Sequence, residues 1–175
     1  MRKPLLLLST FVVLQLVPAW AQVEKVAMRT TGISCGACAV LSEIYFKRMP
    51  GVDKVRISLS QEAIMLTYKP GAAFDPAAIR KLLLSWKVGV VQFQISARGR
   101  IQLQGGERFF LAGKDRFLVV SSPKDSSSAG VPVLIEAILN DHSNPMEVRI
   151  LNFKPPIFSI STSASILAPN ATSTI

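Results

Sequence analysis

Between Glu24 and Ala97 the hydrophobic period of this chain switches from two to about 3.6 and back twice, an order that few folds accommodate. Val26, Met28 and Thr30 alternate with charged or small residues, which predicts a strand ending at Gly32. Ala37, Val40, Leu41 and Ile44 then recur at helical spacing through Lys47, and Pro50-Gly51 closes that helix. Val55, Ile57 and Leu59 alternate, as do Ile64, Leu66 and Tyr68 after a Ser-Gln-Glu connection, which predicts a hairpin. Asp75-Pro76 starts a second helix: the carboxylate caps free amides and the ring pre-sets the first turn. Its apolar face is Ile79, Leu82, Leu83 and Trp86, and a strand with Val91, Phe93 and Ile95 inward follows.

The resulting order, β-α-β-β-α-β, is the ferredoxin-like split βαβ arrangement, in which both helices cover one face of a four-stranded antiparallel sheet and the other face stays wet. The expected class is α+β. After Ala97 the pattern changes to short β-rich segments separated by turns, near residues 99–103, 108–111, 116–120, 131–139 and 146–153. We expect a small all-β domain over 98–157, with a strand count and glycine spacing that suit an oligonucleotide/oligosaccharide-type (OB-like) five-stranded barrel. Gly105-Gly106 reads as a hairpin turn, residues 123–130 as an exposed serine-rich loop, and 158–175 as a disordered Ser/Thr-rich tail.

Residues 1–21 read as a secretory signal peptide: Arg2 and Lys3, an apolar run from Leu5 to Val17, then Ala19-Trp20-Ala21 before Gln22. The run is short for a bilayer span, so cleavage after Ala21 is favoured over retention as an anchor. The expected location is periplasmic or secreted, with no stable membrane span after cleavage. Without Arg2 and Lys3 the excess of 20 basic over 11 acidic residues falls to about +7. Export and the scatter of the charges argue against nucleic acid as a partner; attraction to anionic surfaces in general is the simpler expectation.

Only two cysteines occur, as Cys35-Gly36-Ala37-Cys38. So close a pair cannot staple distant loops, so its spacing points to chemistry rather than to a disulfide framework. Both fall where the first strand gives way to the first helix, and amides at a helix start favour the thiolate, the form that binds soft metals. Two sulfurs without neighbouring histidine or carboxylate make a poor tetrahedral zinc site; Asp and Glu are absent from Arg29 to Leu41, and the single histidine, His142, lies in the other domain. Low-coordinate copper(I) or mercury(II) fits better.

Gly32-Ile33-Ser34-Cys35-Gly36-Ala37-Cys38, with the helix, the Pro50-Gly51-Val52 turn and the hairpin that follow, resembles the heavy-metal-associated domain of copper chaperones, metal-pumping ATPases and periplasmic mercury-binding proteins. The resemblance covers residues 24–96. It implies a ferredoxin-like domain over 22–97 that binds one copper(I) or other thiophilic heavy-metal ion through Cys35 and Cys38. It also implies passage of that ion to a metal-donor or metal-acceptor protein by thiolate exchange, without catalytic turnover. Three positions depart from or extend the pattern. Ile33 stands where the family has a buried methionine, Ser34 where zinc-selective members carry an acid, and Lys87-Val88 where a Gly-Tyr or a metal-facing lysine is common.

Two other readings compete. A Cys-x-x-Cys pair at a helix start also suits a thiol-disulfide oxidoreductase, although no Trp-Cys-Gly-Pro-Cys sequence and no further βαβ crossovers accompany it. The pair is also compatible with an interaction module carrying an idle disulfide.

Overall fold

A computed structural model describes residues 22–33, 36–123 and 130–154. Ten elements follow one another: β1 (Gln22–Thr31), α1 (Gly36–Arg48), β2 (Val52–Ser58), β3 (Ala63–Tyr68), α2 (Pro76–Leu84), β4 (Gly89–Gln104), β5 (Glu107–Ala112), β6 (Asp115–Ser121), β7 (Pro132–Asn140) and β8 (Glu147–Lys154). The molecule is mostly β, with two helices among the described residues. Its strands form one sheet in the order β2-β3-β1-β4-β5-β6-β8-β7, and β7 pairs back onto β4 to close a five-strand barrel. Every pairing is antiparallel except β6 with β8. No helix among the described residues is long and apolar enough to cross a membrane.

The sequence changes character at 97/98, yet that point lies inside β4. Along this strand Phe93, Ile95, Ala97, Gly99 and Ile101 all point inward, so a single alternation serves both halves of the molecule. The first half of β4 pairs with β1, the second half with β5, and β7 flanks it from Phe93 to Arg100. Gly99 sits where the partner changes: a Cβ there would lie 2.1 Å from the Leu111 carbonyl oxygen, so only glycine lets β5 approach. Barrel residues Phe110, Phe117, Ile135 and Val148 join Val26, Ile64, Leu66, Phe46 and Leu83 in one continuous core.

Several local expectations need correction. Val91 is not inward but 57% exposed, because it is the extra residue of a bulge between the Arg29–Gln92 and Thr30–Val90 pairs. Leu59 falls beyond the end of β2 and is 40% exposed. The first helix turns its expected apolar face outward: Val40, Leu41 and Ile44 are exposed, and Ser42 and Phe46 face the core instead. The helix has apolar residues around much of its circumference, so spacing alone did not single out a buried side. Phe46 and Met49 supply the inner contacts one turn apart.

The second helix follows its sequence. Asp75 accepts a hydrogen bond from the Ala78 amide at 2.9 Å, Pro76 occupies the first turn, and Pro76, Ile79 and Leu83 are buried. Of the loop and tail expected at 123–130 and 158–175, residues 124–129 and the whole tail lie outside the described residues, as does 1–21. Gly105 and Gly106 both take positive φ in the turn between β4 and β5.

Candidate metal centre

The candidate centre begins where β1 ends. Gly32 has φ +88°, and a Cβ there would come within 3.1 Å of the Lys87 carbonyl oxygen; glycine is needed for the turn and for the contact. Ile33 is fully buried, which anchors the chain just before the cysteine motif. Cys35 lies outside the described residues. Cys38 is the third residue of α1, inside its first turn, where backbone amides have no helical partner; its side chain lies outside the described residues too. The first turn of α1 carries no acidic side chain to compete for those amides or to add an oxygen ligand.

The other wall is the C-terminal end of α2. The Val88 amide donates to the Leu83 carbonyl at 3.0 Å and the Lys87 amide to the Leu84 carbonyl at 3.0 Å, a Schellman ending in which Lys87 holds the left-handed position. Glycine is the usual occupant because a side chain at φ +59° crowds the carbonyl. The Lys87 backbone therefore abuts Gly32, and its side chain is exposed. His142, also exposed, lies in the β7–β8 loop, where its amide donates to Asn140 Oδ1 at 3.3 Å. Among the described residues no three His, Cys, Asp or Glu side chains gather as a metal cluster.

Two features near this end had no clear sequence signal. Arg80 on α2 reaches across to Asp141, in the loop after β7, with Nη2 2.8 Å from Oδ1 and Nε bonded to Oδ2, while Nη1 donates to the Val90 carbonyl at 2.9 Å. Its guanidinium lies 5.0 Å from the Phe93 ring centroid. Burial raises the Asp141 carboxyl, but the Arg80 hydrogen bond and charge outweigh it and hold the group below its usual value. Starting two residues beyond Cys38, α1 presents Val40, Leu41, Ile44 and Tyr45 to solvent as one stripe. Only an excess of apolar residues in the helix hinted at it.

No protein-family model matches the chain. It is 38% identical over 58 residues, 33% of its length, to a copper-exporting P-type ATPase of Bacillus subtilis (strain 168). It is 33% identical over 84 residues, 47% of its length, to copper-transporting ATPase HMA4 of Oryza sativa subsp. japonica. The chain carries a heavy-metal-associated-like segment. The matched stretches span 7% and 8% of those relatives' own lengths. A solved structure concerning crosstalk between Cu(I) and Zn(II) homeostasis aligns with 38% of this chain and 94% of its own, at a TM-score of 0.34 and 16% identity. In the heavy-metal-associated-like segment, the Gly32 turn, buried Ile33, Cys38 and the Lys87 turn belong to one end of the sheet.

Proposed function

We propose that this protein is an exported carrier of a thiophilic metal ion, copper(I) or a similar heavy metal, held as cargo between the thiolates of Cys35 and Cys38. The observation that carries the reading is the place of Cys38 in the first turn of α1, directly after a buried residue and a glycine turn, in a segment homologous to copper-transporting ATPases. Partnerless amides at that turn stabilise negative charge on sulfur, and soft sulfur prefers soft ions. On this reading residues 22–97 are a ferredoxin-like unit, as the antiparallel order β2-β3-β1-β4 supports. The β-rich part expected at 98–157 is an OB-like barrel that takes the shared β4 as its first strand, as the closed order β4-β5-β6-β8-β7 and the parallel β6–β8 pair support.

The chain passes the ion to a partner's thiolates by ligand exchange and turns over no substrate. Lys87 offsets charge on the bis-thiolate complex. Residues 1–21 are removed on export, and the protein works in the periplasm or outside the cell.

Reduced residues 22–175, titrated anaerobically with copper(I) against a competing chelator, should retain one equivalent, and Cys35→Ser and Cys38→Ser should each lose it. If copper is not retained and the pair instead cycles against glutathione and reduces a model disulfide, the carrier reading fails and thiol-disulfide exchange replaces it.

A further inference from the structure

Among the described residues nothing covers the face of the sheet opposite the helices, and that face has a bias of charge. Its outward positions follow from the strand registers: Lys54 and Lys25 both stand opposite Thr67, so they share a row two strands apart, about 9.5 Å. Arg56 lies in the next row, which runs through Met65, Ala27, Gln94 and Ile138 to Arg149 on β8. Arg29 projects from the same face further along β1. These five cations, Lys25, Arg29, Lys54, Arg56 and Arg149, are exposed, and none makes an ion pair among the described residues. Of the acids on this face, Glu24 and Glu136 are paired with Arg98 and Lys154, and Glu147, beside Arg149 on β8, accepts a hydrogen bond from Asn140. The face therefore carries a net positive charge.

We propose that this open basic face docks on an anionic lipid surface. Two observations choose lipid over other polyanions. The face carries no aromatic side chain among its described residues, so it lacks the stacking platforms with which single-stranded nucleic acid is held. The apolar run from Leu5 to Val17 ends only a few residues before β1, the strand that carries Lys25 and Arg29 in the interior of the face. On the proposed export of the chain, which this choice of partner rests on, the sequence passes a membrane just before the strand that carries Lys25 and Arg29. Interspersed headgroup charge needs no specific pocket: an exposed array of lysine and arginine without ion-pair partners among the described residues is the complementary surface. The inference does not depend on the metal reading.

The test uses residues 22–175, which hold every element of the fold, with sedimentation on vesicles of phosphatidylcholine alone or mixed with an equal part of phosphatidylglycerol. The wild-type protein should bind the mixed vesicles at about 50 mM salt, release at about 500 mM, and ignore phosphatidylcholine. Lys25→Glu, Lys54→Glu and Arg56→Glu combined should lower partitioning on the order of a hundredfold, roughly fivefold or more for each position. Arg48→Glu, Lys81→Glu and Lys114→Glu, an equal change of net charge on the two helices and the β5–β6 turn, should lower it by less than about tenfold. Circular dichroism and thermal melting verify that both triple variants are folded; if the first is not, Lys25→Gln with Arg56→Gln replaces it.

Equal losses in the two triple variants would overturn the proposal, since net charge and not the face would then govern binding. So would absence of wild-type binding, dependence on Leu41 and Ile44 of α1 in place of the sheet face, or saturation by a single-stranded oligonucleotide at concentrations that leave vesicles unbound.

Discussion

Helix α2 meets the rest of the molecule through polar ties as well as burial, whereas among the described residues α1 meets it through burial. Before α2, the Phe74 amide donates to Asp115 Oδ2 at 3.4 Å, so the entry segment is fastened to the barrel turn between β5 and β6. From the helix itself Arg80 clasps Asp141 beyond β7. The polar contacts of α1 among the described residues are internal: Lys47 to Glu43 at 2.6 Å, and Arg48 over the Tyr45 ring at 5.9 Å. It buries Ser42 and Phe46 while leaving Val40 59% and Leu41 51% exposed. A helix shaped only for its own core would reverse those choices. The contrast teaches that α2 fixes the orientation of the two halves, while α1, which begins with the cysteine motif, keeps an apolar flank turned to solvent.

The largest effect expected from this contrast is in paired leucine truncations. Leu83→Ala removes a fully buried α2 side chain and should lower stability by about 2–5 kcal/mol in urea unfolding. Leu41→Ala, on the outward side of α1, should change it by less than about 0.5 kcal/mol. Similar losses at both positions would mean that the stripe on α1 is covered in solution.

The next effect concerns the tie ahead of α2. Burial pushes the Asp115 carboxyl up to about 6, against the opposing pull of the Phe74 amide. The folded protein therefore holds this proton more tightly than the unfolded chain. The contribution is most favourable below about pH 4 and is lost as pH rises towards 6, leaving the ionised group as a burden at neutral pH. Asp115→Asn should remove that slope and raise stability at pH 7 by about 1–3 kcal/mol. Asp141 runs the other way: its depressed carboxyl stabilises at neutral pH, and that support is lost in acid as it protonates. A pH–stability curve unchanged by Asp115→Asn would sink the assignment.

Ser42 marks the converse situation in α1. It is 1% exposed and its hydroxyl has no hydrogen-bond partner among the described residues. Ser42→Ala removes an uncompensated buried group and adds helix propensity, so a gain of about 1–2 kcal/mol is expected by chemical denaturation. A loss instead would show that the hydroxyl is satisfied in solution and that α1 is better fitted than its exposed stripe suggests.

The difference between the helices also explains what the sequence made legible. The element order from β1 to β4, the capped start at Asp75-Pro76 and the inward run Phe93–Ile95 are local patterns, carried by period and by turn chemistry. The five-strand closure was foreseen only as an architecture, because the pairing of β7 with β4 joins residues some forty apart and leaves no local trace. The boundary at 97/98 marks a real change in composition, but the alternation continues through it and one strand serves both sides. The face of α1 was misjudged because two apolar sides compete in one short helix, and Val91 because a bulge shifts the alternation. At the candidate centre, Cys35 and Cys38 were legible as residues through their spacing. The contact between the Lys87 turn and Gly32 was not, since it depends on the backbone of two segments far apart in sequence.

That contact gives the smallest expected effect. Lys87 ends α2 in a left-handed conformation, with φ +59°, that glycine adopts without crowding, and its carbonyl rests against Gly32. Lys87→Gly relieves the crowding but frees the unfolded chain, so the net gain should be about 0.5–1 kcal/mol, read as a rise of a few degrees in Tm. If the lysine serves the proposed thiolate pair, the same variant should be more stable and yet retain copper(I) less well against a chelator. Greater stability with undiminished copper retention would confine Lys87 to capping α2, and the electrostatic role given to it in the carrier reading would be withdrawn.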